Sequence, residues 1–300
     1  MGQVLARSQR VFNAKPGGAS GFQGMGQVLT SIHTSYIVAK IAELHHHAGP
    51  RRGLQHRLED VMIDTLSRPG ARNIYVHWGA HESGKSWAAE NAAVRMDKAG
   101  KFVMLCRGWG FGPGLDLKSW LRVSIGIPDD RAKDKLSTFF PADKQAALII
   151  DHPEYLIKQF GEKGLVDTLD TLGIPVLILV SSWERAVNLK REGCLLLGEP
   201  GLGRWTQQEL DNLYDTFPER LKRKVETCKP EVRECAVLAG SPGILEFESQ
   251  DDIKPNMHRA RLIGAEWDNG IRALKGEDMT GITGRFPDKD SVFHWDAKYA

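Results

Sequence analysis

Residues 73–86 read NIYVHWGAHESGKS. The first half of this stretch, with Ile74, Tyr75, Val76 and Trp78, has the β-branched and aromatic composition of a buried strand. The second half, Gly79-Ala80-His81-Glu82-Ser83-Gly84-Lys85-Ser86, fits the phosphate-loop pattern G-x-x-x-x-G-K-[ST] at every fixed position. Chemistry explains the spacing. Gly79 and Gly84 let the backbone wrap around a phosphate chain so that successive N–H groups point inward. Lys85 is spaced to reach the β- and γ-phosphates, and Ser86 to offer its hydroxyl to Mg²⁺. Trp87–Lys98 is rich in Ala and free of Pro and Gly, so a helix follows and presents its positive end to an anion. The whole octet 79–86 is the candidate nucleotide cradle, and the stretch predicts strand, loop and helix in that order.

Outward from this unit the chain repeats short apolar runs separated by helical stretches. Phe102–Cys106 (FVMLC), Ala146–Asp151 (AALIID), Pro175–Val180 (PVLILV) and Cys194–Leu197 are the further candidate strands. Helices are expected at Leu117–Ile125 and Gly164–Leu172. Apolar runs without alternation, joined by helices, are the pattern of a parallel sheet buried on both faces, hence an α/β fold. Asp151 ends the AALIID strand, the edge where ligands of such sheets collect, and it is the candidate second Mg²⁺ residue opposite Ser86. The alternative for Asp151 is a loop or helix-capping carboxylate.

From Gly203 the pattern becomes helical. Thr206 and Glu209 have the spacing of a capping box, and Leu210, Leu213 and Phe217 follow on one face. Glu231–Ala239 is the next helix, stopped by Gly240-Ser241-Pro242-Gly243, and Arg259–Leu274 is the last before a polar tail. Toward the start, Leu54–Leu66 and Val28–Leu44 read as amphipathic helices, and His45-His46-His47 as a solvated helix end rather than a metal site. The expected organisation is a flexible segment over 1–27, helices over 28–70, a core over 71–202, a helical lid over 203–250, and a helix with a polar tail over 251–300.

Composition narrows the rest. The chain has 300 residues, is 41% hydrophobic and 26% charged, and carries a net charge of +2, which argues for no global attraction to nucleic acid or anionic membrane. Its four cysteines, Cys106, Cys194, Cys228 and Cys235, form no C-x-x-C pair and read as reduced thiols. No apolar run reaches the roughly 20 residues of a membrane span, so a soluble intracellular protein is expected. Residues 1–42 lack Asp and Glu and carry Arg7, Arg10, Lys15 and Lys40, which keeps mitochondrial import as the minor alternative to a solvated tail. MGQVL occurs twice, at 1–5 and 25–29, and is too short to be a structural repeat.

Taken together, GAHESGKS, LIIDHPEYL, VLILVSS and the helical segment ending in AGSPGIL resemble a phosphate-loop NTPase of the AAA+/STAND kind, with a pattern similar to compact archaeal-type ATPases. The resemblance spans about Gly53 to Glu248. It implies a three-layer fold with a five-stranded sheet of order 5-1-4-3-2 and a helical lid. It implies ATP and Mg²⁺ as cofactors, with Lys85 and a sensor at Ser181 or Ser182 acting on the γ-phosphate. It also implies a nucleotide-driven switch or small motor, and a homo-oligomer as a possible assembly. GTP is disfavoured, since no N-K-x-D guanine motif occurs.

The chain departs from the pattern where a catalytic Glu usually follows the strand Asp. His152 stands there, and Glu154 comes two residues later. Glu154 is the candidate catalytic carboxylate, with a favourable charge at a helix start as its other reading. Pro153 biases His152 toward extended backbone. A positioned base is worth about 10²–10⁴-fold, so slow hydrolysis is expected, with a non-catalytic nucleotide-binding scaffold as the alternative. Arg191 and Arg204 are the candidate arginine fingers, and Gly243 occupies a place where some relatives carry a sensor Arg. Trp109 and Phe111, in the loop after the second strand, either face a partner or pack inward.

Overall fold

The computed structural model describes residues 56–70, 73–108, 116–119, 145–215, 219, 222, 230–241, 243 and 253–280. The segment 1–27, the helix expected at Val28–Leu44, the histidine run 45–47, the Trp109–Phe111 loop and the tail beyond 280 lie outside these residues.

Five parallel strands form one sheet: β1 (Ile74–Trp78), β2 (Phe102–Arg107), β3 (Ala146–Asp151), β4 (Val176–Val180) and β5 (Leu195–Leu196). Their order is β2-β3-β4-β1-β5, the expected 5-1-4-3-2 seen from the other edge. Every residue of β1, β3 and β4 is buried, so these strands show apolar runs instead of alternation. The helices are α1 (His56–Leu66), α2 (Lys85–Lys98), α3 (Glu154–Asp170), α4 (Trp183–Arg191), α5 (Gln207–Asp215), α6 (Pro230–Ala239) and α7 (Ile253–Leu274). Among the described residues no helix is long and apolar enough to cross a membrane, and no cluster of three metal-ligating side chains occurs. Cys106, Cys194 and Cys235 are buried and form no disulfide among the described residues, and burial pushes the Cys194 thiol up to about 12.

The described residues divide into two compact units. One holds Glu59–Tyr75 and Ala89–Ile178. There β2 and β3 pair in register from Phe102 opposite Ala146 to Arg107 opposite Asp151. Arg95 of α2 bridges Asp60 at 2.8 Å and Glu59 at 3.3 Å on α1, and the hydrogen bond to Asp60 raises its pKa further. The helix expected from Gly164 begins ten residues earlier, at Glu154, and breaks at Gly161, whose φ of 69° and ψ of 164° are not helical. Glycine alone takes that conformation without a steric cost, and the break separates the two halves of the pattern. A single turn at 117–119 is capped by Asp116, which accepts from the Ser119 amide at 2.9 Å; the remainder of that expected helix lies outside the described residues.

The other unit holds His56–Leu58, Val76–Ala88 and the described residues from Leu179 onward. Here α5 begins with the expected capping box: the Glu209 amide donates to Thr206 Oγ1 at 3.3 Å, and the Thr206 amide donates to Glu209 Oε2 at 2.7 Å. At its other end α6 stops in a Schellman turn. Gly240, at φ 58°, donates to Val237 O at 3.1 Å, and Ser241 N donates to Ala236 O at 3.3 Å. The last helix starts at Ile253, not Arg259, because Pro255 falls in its first turn, where a missing N–H costs nothing. The fifth strand shortens to Leu195–Leu196.

Two glycines of α7 set its packing. A Cβ at Gly264 would lie 2.6 Å from Leu238 O at the end of α6. One at Gly270 would lie 2.4 Å from the Trp78 ring and 2.7 Å from Trp183 Cβ. Trp78 meets Trp267 edge-on, with ring centroids 4.5 Å apart, and both are buried. Gly270→Ala should therefore destabilise the protein by about 1–3 kcal/mol, even though Ala is the better helix former. Urea unfolding of the full chain measures this; an unchanged or raised midpoint would mean that the Trp78 ring yields at no cost.

Candidate functional site

The loop between β1 and α2 is built by close approach. A Cβ on Gly79 would fall 2.9 Å from Ser83 Oγ and 3.0 Å from Lys85 Cδ, so a side chain there would displace those two. Gly84 has φ 87°, and Glu82, which is not a glycine, has φ 62°. Such turns aim neighbouring amides into one concavity, a shape that suits an anion. Helix α2 starts at Lys85 and adds the positive end of its dipole. Ser83 and Lys85 are buried, and Lys85 Nζ donates to Ala80 O at 2.8 Å.

The loop's carbonyls turn the other way and are met by donors from distant chain. Ser241 Oγ donates to His81 O at 3.1 Å. Gly243 N donates to Glu82 O at 3.2 Å. Trp205 Nε1 donates to Ser83 O at 3.0 Å. A Cβ on Gly243 would lie 2.4 Å from Glu82 Cβ, so this position fits against the loop as glycine and has no room for a sensor side chain. Neither Trp205 nor Ser241 was a candidate from sequence, although each sits one step outside a legible helix end.

Ser181 and Ser182 follow β4, whose Val180 O accepts from Gly79 N at 3.3 Å. The pair separates by role. Ser182 caps α4, accepting from Arg185 N at 3.5 Å, while Ser181 is buried and makes no such cap. Arg204 donates to Asp268 and to Leu238 O at 2.9 Å within its own chain, and Arg191 is exposed in the last turn of α4.

Asp151, His152 and Glu154 belong to the other unit. Asp151 is buried at the end of β3, and its Oδ1 accepts from His152 N at 3.1 Å. The expectation of extended backbone at His152 is overturned, since its φ is 53°. The chain turns there from strand to helix within two residues, and the His152 carbonyl is pressed against Gly108, where a Cβ would lie 2.1 Å away. The positive φ is the way to make so tight a turn. Pro153 then serves as N-cap of α3 without a side-chain bond, and the half-buried Glu154 lies in the first helical turn.

His77, two residues before the loop, is 3% exposed, and its Nε2 has no hydrogen-bond partner among the described residues. Burial, and then the charge of Lys85, lower its pKa from 6.5 to about 3. The unfolded chain thus takes up a proton below about pH 6.5 that the folded chain refuses until about pH 3, so stability present above 6.5 falls as pH drops through that window. Wild type should lose about 2 kcal/mol more than His77→Gln between about pH 7 and about pH 5. Urea unfolding at the two pH values checks this, and parallel losses would mean that His77 titrates alike in both states.

No known protein family matches this chain, and no characterised protein matches it by sequence. Among solved structures it is similar to the Aeropyrum pernix ORC2 protein in its ADPNP-ADP complexes, at 17% identity and a TM-score of 0.39, covering 76% of this chain and 62% of that one. It is also similar to domain III of the Thermotoga maritima replication initiation protein DnaA, at 17% identity and a TM-score of 0.36, covering 80% of this chain and 89% of that one. This chain thus spans 62% of the ORC2 chain, and neither likeness gives a residue a role.

Proposed function

We propose that this chain is an ATP-binding, Mg²⁺-dependent phosphate-loop NTPase of the AAA+/STAND kind, with its core over 71–202 and a helical lid over 203–250. The observation that carries the reading is the loop 79–86, whose carbonyls at 80–83 are all bonded within the protein while Glu82 and Gly84 take positive φ. With those carbonyls held by the protein, the concave side of the loop suits an anion, and a triphosphate is the anion this motif's spacing fits. A Cβ at Gly79 would crowd the cradle, which supports the fit of a nucleotide to the residues present.

In this reading the octet 79–86 cradles the phosphates, and Lys85 exchanges its bond to Ala80 O for phosphate oxygens. Mg²⁺ would be held by the Ser86 hydroxyl and the Asp151 carboxylate, an all-oxygen donor set that suits it, and would neutralise charge developing on the phosphates. Ser181 is the sensor, because Ser182 is engaged as a helix cap. Glu154 orients the attacking water.

A scaffold that holds nucleotide without turnover is the second reading. It is favoured by Glu154 lying in the first turn of α3, where a carboxylate is stabilised by the helix dipole whatever its chemistry. Two measurements decide. Lys85→Ala should abolish ATP binding in calorimetry while the circular dichroism spectrum is kept, and near-wild-type affinity would refute the loop assignment. Wild type should hydrolyse ATP on the slow side of roughly 1–10³ s⁻¹, and Glu154→Gln should cut that rate by about tenfold or more with affinity held. Turnover that is unchanged in Glu154→Gln removes Glu154 from the chemistry; no turnover in wild type favours the scaffold.

A further inference from the structure

Backbone carbonyls that are buried must find donors, and in the phosphate loop those donors come from elsewhere in the chain. Ala80 O is met by Lys85 Nζ and by Ser83 N, at 2.8 and 3.3 Å. The next three carbonyls, of His81, Glu82 and Ser83, are met by Ser241 Oγ, Gly243 N and Trp205 Nε1. These donors form one assembly, since Trp205 N itself donates to Gly240 O at 3.2 Å. The assembly is fixed from behind. The Schellman turn of α6 sets Ser241, the capping box of α5 sets the residue after Trp205, and Arg204 spans Leu238 O and Asp268. Ser241 is fully buried and Trp205 is 8% exposed, and the Trp205 bond to Ser83 O is itself buried.

Glu82 shows what the assembly does. A non-glycine residue at φ 62° is held against a cost of about 1–3 kcal/mol, and such a conformation persists only where the surroundings over-determine it. The carbonyls on both sides of Glu82, and its own, are the three that these donors hold. Releasing them would let Glu82 return to an ordinary φ and would turn loop amides away from the concavity.

We propose that Trp205 and Ser241 are positioning residues that clamp the phosphate loop in its anion-binding form, so that nucleotide affinity depends on where the 203–243 segment sits. The clamp rests on the nucleotide reading for its consequence and on the geometry alone for its existence. Anything that moves this segment would then change phosphate affinity without touching a phosphate. Apparent affinity scales with the fraction of molecules whose loop is competent, so the effect falls on ligands that use the loop and spares those that do not.

The test compares wild type, Trp205→Phe, Ser241→Ala and the double variant, as full chains. Trp205→Phe removes the indole donor and keeps an aromatic ring; Ser241→Ala removes the hydroxyl alone. Calorimetry with ATP and with adenosine is paired with amide hydrogen exchange of the ligand-free chains. Each single variant should weaken ATP by about threefold and the double by about tenfold, the range of one or two lost hydrogen bonds. Adenosine affinity should not move. Exchange at residues 81–84 should quicken while the amides of α7 keep their wild-type protection. Unchanged ATP affinity and unchanged exchange in the double variant overturn the clamp, and so do equal losses for ATP and adenosine, which would mark a merely structural role. If wild type itself fails to bind ATP, the nucleotide reading falls and the exchange data alone decide the clamp. Should Trp205→Phe fail to fold, Ser241→Ala carries the same comparison at its threefold level.

Discussion

The buried carbonyls of the loop 79–86 must find donors, and that requirement shapes this protein. In a helix or a sheet, each peptide's two polar groups are satisfied by the same ladder. In the loop 79–86 they are divided, with the carbonyls of 81–83 turned into the protein and bonded by Ser241, Gly243 and Trp205. Those bonds reach across 122 and 160 residues of chain in the cases of Trp205 and Ser241. The loop is local in sequence, but its conformation is a property of the fold.

Electrostatics act in the same direction. Lys85 is 7% exposed, and His77 lies buried close enough for the charge of Lys85 to depress its pKa. A protonated His77 would add a second cation to a site already holding one, in surroundings that solvate neither well. Burial keeps the ring neutral, so the positive charge in this neighbourhood belongs to the residue whose stem reaches along the loop. Gly203, at φ 90°, lies against the imidazole, and a Cβ there would be 3.3 Å from His77 Nε2.

The strand-to-helix turn at Asp151 in the other unit shows a second case of backbone constraint. Proline after His152 was expected to hold that residue extended, as the clash of a proline ring with its predecessor usually does. Here the chain must pass from β3 to α3 across His152 and Pro153, and the backbone of Gly108 is in contact with the His152 carbonyl. A left-handed residue satisfies both, and the local preference gives way. Glu154 consequently starts a helix and gains from its dipole, which is a reason for a carboxylate at this position independent of any chemistry.

How far the sequence alone reached can be followed residue by residue. Strands β1 to β4 were legible because a sheet covered on both faces leaves continuous apolar runs, and β5 was overextended because two residues carry little pattern. The capping box at Thr206 and the stop at Gly240 were legible because capping is a contract between residues a few positions apart. The octet 79–86 announced itself for the same reason: its glycines and its Lys85 answer to one another within eight residues. What sequence did not show was the role of Trp205 and Ser241, the reason for glycine at 243, 264 and 270, or the neutral state of His77. Each of these depends on which atom lies a few ångströms away through space, from a partner far along the chain. Local pattern determines where helices, strands and turns begin and end; only tertiary packing decides which side chain completes another segment's hydrogen bonds, and that is where the shape of the loop is settled.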